Sequence, residues 1–321
     1  CCCCCCCCCC CCCCCCCLVL LVVVLLLQRS KQTMGFVMTL IASFVSVGGV
    51  SGQTRPSGFE PGWNGLAKTP PMGWRSWNAF GTAVSQTNMK ASIDALVAKI
   101  WTIGGKNNMS LYEAGYISAG IDEGWEACGK GVNGTQHAAN GDPVINSKFP
   151  DMGGLVEYGH TAGLKVGWYE NGCACGERKA LLQNYQGDVR ELHTLGFDGV
   201  KLDGCGAQRN MTLYAQLMND TGKAYLIENC HWGDCTSSDD SSCPTLEWCP
   251  FNWYRSSGDI NARDPFSWLS NLQTTIRFHD PVAPLSQPGC WAYPDMLEVG
   301  KIMVDGEFDY VWNRAHFGAW C

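Results

Sequence analysis

The stretch Leu195-Gly196-Phe197-Asp198-Gly199-Val200-Lys201-Leu202-Asp203-Gly204-Cys205-Gly206 decides how this chain is read. Val200 and Leu202 indicate a short buried strand, and Asp203 follows at its C-terminal end. Lys201 lies two residues before Asp203, so both point to the same side of the strand. A similar event occurs at Trp253-Tyr254-Arg255-Ser256-Ser257-Gly258-Asp259-Ile260, which again ends on an aspartate. Two such aspartates on two strands of one parallel barrel can face each other across a small pocket, the arrangement that acid–base chemistry on an acetal needs. Taken alone, either aspartate reads more readily as a turn or helix-cap residue.

Outward from these strands the pattern repeats. Short apolar strand candidates fall at 72–74, 116–121, 164–169, 199–202, 224–227, 253–254 and 290–293. Helical periodicity falls between them at 88–101, 151–162, 185–195, 209–220 and 266–276. Strands separated by helix-length crossovers run parallel. About seven such βα units favour an α/β fold of the (β/α)₈ TIM-barrel type over a doubly wound sheet. No Gly-rich phosphate loop follows the first strand, which argues against a nucleotide fold. Two polar excursions, 125–150 and 231–252, each follow a strand and so belong to the C-terminal face, where a barrel builds its site.

The ends read differently. Residues 1–17 are all cysteine and residues 18–27 are all apolar. A translated nucleotide repeat or an over-extended gene accounts for residues 1–33. Residues 34–52 read as a secretory signal with Arg29 and Lys31 upstream and Met34 as the true start. The rival reading is a membrane anchor over 1–27, and membrane attachment is not the expected outcome. Ten cysteines follow the tract. With sequons at Asn108, Asn133, Asn210 and Asn219 they point to disulfides, glycosylation and an oxidising compartment: secreted, extracellular, or vacuolar and lysosomal. Residues 53–321 form one barrel-sized domain. It contains 20 of the 22 basic and all 29 acidic residues, a net charge of −9. That balance leaves no basic stripe for nucleic acid. The six histidines are scattered, so neither a metal nor a cofactor is expected.

From Gly65 to Cys321 the chain resembles glycoside hydrolase family 27, the melibiase or α-galactosidase family. The marks are Thr69-Pro-Pro-Met-Gly-Trp-Arg-Ser-Trp77, Gly120-Ile-Asp-Glu-Gly-Trp125, Lys148-Phe-Pro-Asp-Met152, Gly199 to Gly204, Arg255 to Asp259, and Tyr293-Pro-Asp-Met-Leu-Glu-Val299. The resemblance implies a retaining double displacement with Asp203 as nucleophile, ionised at rest. It implies Asp259 as general acid and then general base, protonated at rest. It implies sugar-binding roles for Trp77, Asp122, Glu123, Tyr169, Lys201, His231 and Arg255. Its pattern suggests disulfides between Cys230 and Cys249, and between Cys205 and either Cys173 or Cys175. The implied partner is a galactose-containing oligosaccharide, glycoconjugate or galactomannan.

Three departures bear on these expectations. Glu123 stands where the family commonly has a second aspartate, and its extra methylene moves the carboxylate by about 1.5 Å. His231 stands where many members have a glutamate that reads carbon 2 of galactose. Both leave β-L-arabinopyranoside and α-N-acetylgalactosaminide open as substrates beside α-galactoside. The family's eighth strand, eighth helix and C-terminal antiparallel domain do not follow residues 307–321, which resemble its seventh helix. The barrel is therefore expected to lack its last βα unit. A non-catalytic glycan-binding barrel is the competing function, and the presence of both Asp203 and Asp259 favours an enzyme.

Overall fold

The computed structural model describes residues 64–177, 179–230, 244–260 and 267–297, with two short strands beyond them. The expected 1–33 tract, the 34–52 signal segment and His231 lie outside the described residues. Along the chain run β1 (Gly73–Arg75), α1 (Trp77–Phe80), α2 (Gln86–Val97), the hairpin β2 (Trp101–Ile103) and β3 (Lys106–Met109), β4 (Ser118–Gly120), α3 (Met152–Thr161), β5 (Lys165–Gly172) and α4 (Leu182–Thr194). There follow β6 (Gly199–Gly206), α5 (Met211–Asp220), β7 (Leu226–Cys230), β8 (Trp253–Arg255), α6 (Ser267–Thr274), β9 (Trp291–Tyr293), and the pair β10 (Met303–Val304) and β11 (Glu307–Phe308).

Seven strands pair in the order β1-β4-β5-β6-β7-β8-β9, and every pairing is parallel. Among the described residues the sheet is curled but not fully closed, with β1 and β9 at its edges, as in an incomplete TIM barrel. The expected strands at all seven positions are present. Alternation along β5 and β6 sorts side chains into two layers. Trp168, Val200 and Leu202 face outward onto Val189 and Leu192 of α4 and Tyr214 and Met218 of α5. Trp168 stacks on Phe197 at 4.9 Å between ring centroids and lies 4.7 Å from Trp125. Tyr169, Lys201 and Asp203 take the other side and meet inside the barrel. The β5 and β6 strands close on one another at Gly172 and Gly206. A Cβ on Gly206 would fall 1.8 Å from the Gly172 carbonyl oxygen, so the approach requires glycine there.

The segment ahead of β1 crosses to the start of β9. Ala67 O accepts from Gly289 N and from Trp291 Nε1, both at 2.8 Å. Asn252 Nδ2 donates to Asn64 Oδ1 at 2.9 Å. Helix starts follow local chemistry: Ser85 and Asn88 form a reciprocal capping box, and Asp151 and Asn210 accept from the amides of Gly154 and Leu213.

Two expected helices are corrected. The helix expected over 88–101 ends at Val97, and Trp101 starts a hairpin instead. Its turn is Gly104-Gly105, both at positive φ, the two-residue turn whose twist suits a hairpin. Residues 307–308, expected to begin a helix, form a strand against Met303–Val304, and 309–321 lie outside the described residues.

Among the described residues the disulfides are Cys128–Cys175, Cys173–Cys205 and Cys249–Cys290, while Cys230 is a buried thiol. Cys205 therefore takes Cys173, and the expected Cys230–Cys249 bond does not form. Cys230 closes β7 beside Asp203, whereas Cys249 precedes β8 and Cys290 precedes β9. The bond staples the starts of two adjacent strands at the end of the barrel away from Cys230. Peptide mapping under non-reducing conditions should return these three bonds, with Cys230 alkylated only after unfolding; a linked Cys230–Cys249 peptide would contradict the arrangement. All four sequon asparagines are exposed. Among the described residues no helix is long and apolar enough to cross a membrane.

Candidate active site

The C-terminal ends of β5 and β6 bring Tyr169, Lys201 and Asp203 together. Asp203 Oδ2 accepts from the Tyr169 hydroxyl at 2.7 Å, and Oδ1 accepts from the Gly204 amide at 2.7 Å. Burial by itself raises the Asp203 pKa. The Lys201 ammonium, the Tyr169 hydroxyl, the Gly204 amide and Arg255 outweigh it and hold the carboxyl below the ordinary value. The expectation that Asp203 is ionised agrees with this environment. Asn171, two residues along β5 from Tyr169, donates to the Tyr169 hydroxyl at 3.0 Å and fixes which way that hydroxyl points.

Lys201 Nζ is buried and donates to Asp122 Oδ2 at 2.9 Å while lying 5.3 Å over the Tyr169 ring. Burial disfavours the ammonium. Against it stand Cys230, Asp122 and Glu228, and the Lys201 pKa lies above that of an ordinary lysine. Cys230 acts this way only as a thiolate, and burial pushes its thiol pKa up, so the two carboxylates carry the effect. Asp122 is set by its own backbone: its amide donates to Ser76 Oγ at 2.9 Å, which ties the end of β4 to the end of β1. Glu123 is half-buried beside it. Burial, then the charges of Asp122 and Asp203, raise the Glu123 pKa. Trp77 opens α1 at 36% exposure and presents its indole at the surface.

Arg255 ends β8 and is buried. Nη2 donates to Asp259 Oδ1 at 2.5 Å, Nε donates to Ser257 O at 2.8 Å, and Nη1 lies 3.3 Å from Cys230 Sγ and 3.4 Å from Asp295 Oδ1. The Asp259 side chain is 74% exposed, so it reaches outward from an anchored base. Arg255 thus joins the two expected carboxylates: it holds Asp259 directly, and its charge favours the ionised form of Asp203. Asp295 carries φ of +109°, a region costly for a residue with a Cβ. Its carboxylate over-determines that position by meeting Arg255 and accepting from the Ile260 amide at 2.7 Å.

Residue reading alone missed Arg75, Ser76, Asn171, Glu228 and Asp295 as members of this network. Asn171 had a usable signal, since it follows Tyr169 at the strand period. Arg75 and Glu228 had none, because their partners are distant in sequence. Among the described residues no group of His, Cys, Asp or Glu is arranged to hold a metal ion.

The 125–150 excursion is anchored through Cys128 and His137. Cys128–Cys175 staples it to the loop after β5. Buried His137 bridges Glu177 at 3.0 Å and Asp188 at 2.8 Å. Burial lowers the His137 pKa, but Asp188 and then Glu177 reverse this and leave it raised. Burial raises the Glu126 pKa to about 7, and burial among Asp188 and Glu126 raises that of Glu170, whose two oxygens have no hydrogen-bond partner. A raised histidine contributes stability below its unfolded pKa and loses it as pH rises through the folded value. Carboxyls with raised pKa also make the folded state bind more protons, so stability falls as pH climbs from the ordinary carboxylate range to the folded value. The melting temperature should therefore fall between pH 5 and pH 8, with Glu126 alone worth on the order of 3 kcal/mol. Thermal melts across that range check it, and a rising or flat profile would contradict it.

The family described as Alpha galactosidase A (Melibiase_2) matches residues 69–312. Alpha-galactosidase 3 of Arabidopsis thaliana is 30% identical over 266 residues, covering 80% of this chain and 54% of that protein. Alpha-galactosidase A of Cellvibrio japonicus is 30% identical over 277 residues, covering 79% of this chain and 60% of its own length. An α-galactosidase from Saccharomyces cerevisiae, solved with raffinose, superposes with a TM-score of 0.62 at 22% identity, over 80% of this chain and 57% of that one. The chain thus spans between half and two thirds of the length of these proteins. The family match runs from just ahead of the strand that carries Arg75 to beyond the one that carries Tyr293, and so takes in every strand of the parallel sheet; the chain belongs to the melibiase, or α-galactosidase, family of glycoside hydrolases, family 27.

Proposed function

We propose that this barrel hydrolyses terminal α-D-galactosyl residues of oligosaccharides, glycoconjugates or galactomannans with retention. The observation that carries the reading is Asp203, held ionised by Lys201 and Tyr169 within reach of the charge of Arg255, which anchors a second aspartate. In the first step Asp203 attacks the anomeric carbon. The glycosidic C–O bond breaks, and Asp259 gives its proton to the departing oxygen. In the second step Asp259 takes a proton from water, which displaces Asp203 from the sugar. Lys201 and Asp122 bind ring hydroxyls, the Trp77 indole offers an apolar face, and Arg255 steadies Asp259. His231 belongs to the same proposal as a contact near carbon 2. Three disulfides support folding in an oxidising compartment, in line with a secreted or vacuolar enzyme.

Glu123 is the position where a related sugar would be read differently, since its carboxyl lies beside Asp122 and Asp203. The test is hydrolysis of aryl α-D-galactoside, β-L-arabinopyranoside and α-N-acetylgalactosaminide by the full chain. The α-galactoside should be turned over fastest. Preference for either other sugar would reassign the substrate, and binding without turnover of any would favour a glycan-binding protein.

A further inference from the structure

Beneath the site lies a buried ion pair that none of the proposed chemical steps uses. Arg75 ends β1, one edge of the open sheet, and its side chain crosses the barrel interior. Nη2 donates to Glu228 Oε2 on β7 at 2.9 Å, and Glu228 Oε1 accepts from the hydroxyl of Tyr293 on β9, the opposite edge. Nη1 donates to two backbone carbonyls, Ile121 O at 2.9 Å and Trp168 O at 3.2 Å. These carbonyls immediately precede Asp122 and Tyr169. Nε lies 3.9 Å from the Asp122 carboxylate itself. Space for the guanidinium is provided by Gly120 and Gly167, which are register partners on β4 and β5. A Cβ on Gly120 would meet Arg75 Cζ at 3.0 Å, and one on Gly167 would meet Nη2 at 3.8 Å.

We propose that Arg75, held from behind by Glu228 and Tyr293, is a positioning residue that sets Asp122 and Tyr169, and through Tyr169 sets Asp203. A planar fork suits this task, because one guanidinium serves two carbonyls and a carboxylate from fixed directions. No sheet ladder does the same, since β1 pairs with β4 and has no pairing to β5 or β7. The two carbonyls lie one residue before the side chains that hold Lys201 and Asp203, so a shift of the fork moves both contacts together. A plain strut between sheet edges would need only the Arg75–Glu228–Tyr293 line and neither carbonyl.

The kinetic arm of the test rests on the proposed role of Asp203; the spectroscopic arm does not. Arg75→Met would leave Glu228 buried without a charge partner, so the key variant is Arg75→Met/Glu228→Met, which removes the pair and leaves no orphaned charge. Arg75→Lys is the second variant, keeping the charge and losing the fork. The Asp203 carboxyl is followed by ¹³C NMR titration, assigned with Asp203→Asn, and circular dichroism confirms folding. In both variants the Asp203 midpoint should rise by about half a pH unit or more, because its Tyr169 hydrogen bond loosens. Adding Tyr169→Phe should raise it no further, since the two changes act on one contact. On aryl α-galactoside kcat should fall about 10- to 100-fold, with KM changed by less than about threefold. A folded variant with an unmoved Asp203 midpoint and kcat within about twofold of the parent would reduce Arg75 to a strut and overturn the proposal. A parent chain that hydrolyses no sugar would sink the proposed function. The NMR cycle would then decide the role of Arg75 by itself: a shared, non-additive shift upholds it and an absent or fully additive shift refutes it.

Discussion

Replacing Asp203 with alanine should abolish turnover of every substrate, while replacing Asp259 with alanine should divide substrates by leaving group. In the proposed mechanism Asp203 forms the bond to the anomeric carbon, and β6 carries no other carboxylate. A loss of about 10⁴-fold or more is expected, since the nucleophile has no substitute. Asp259, in the same proposal, acts on a proton. An aryl leaving group of low basicity departs with little protonation, so its glycosylation step should be largely spared. Deglycosylation still needs a base, so a burst of phenol followed by slow turnover should appear. Alkyl and sugar leaving groups should be lost in the first step. Stopped-flow release of nitrophenol against steady-state hydrolysis of a galactosyl disaccharide checks the contrast; equal loss on both, without a burst, would count against the assigned roles.

The second large effect is expected at Lys201. Its ammonium is buried against Asp122 and faces Tyr169, so Lys201→Met removes the proposed sugar contact and the principal charge that keeps Asp203 ionised. Turnover should fall by about 10³-fold, as for loss of a preorganised charge in a dry site. The change also leaves Asp122 buried without its closest partner, which costs about 3–5 kcal/mol. The pH dependence follows from Asp203. Its folded pKa is depressed, so it contributes stability above the unfolded carboxylate pKa, and that contribution is lost as pH falls through the folded value. In Lys201→Met the contribution shrinks, and the acid limb of the residual activity moves to higher pH. Melts and rate profiles from pH 3 to pH 8 measure both; a variant with a tenth of parental activity and an unmoved acid limb would refute this account.

The parts that were legible in the sequence are those written in local order. The Val200/Leu202 and Lys201/Asp203 alternation locates a strand and the face of its charged residues because a strand repeats every two residues. Asp203, Lys201, Tyr169 and Asp122 accordingly meet where expected. The Gly104-Gly105 turn is a local signal too, hidden by helical periodicity that runs on to Trp101. What was not legible depends on which ends of strands lie together. Arg75 and Glu228 are 153 positions apart, and Glu228 and Tyr293 are 65 apart, so no window of sequence pairs them. The Cys249 pairing failed for the same reason: Cys249 and Cys290 share an end of the barrel that Cys230 does not. His137 gave no signal of its own, since its partners Glu177 and Asp188 come from another loop and a helix.

The most direct test of the central claim is to trap the glycosyl-enzyme. A fluorinated α-galactosyl donor with a good leaving group, incubated with the full chain and digested, should leave one sugar on the peptide that contains Asp203, released when the intermediate turns over. A sugar found on another residue, or turnover with an inverted first product and no covalent adduct, would contradict the account.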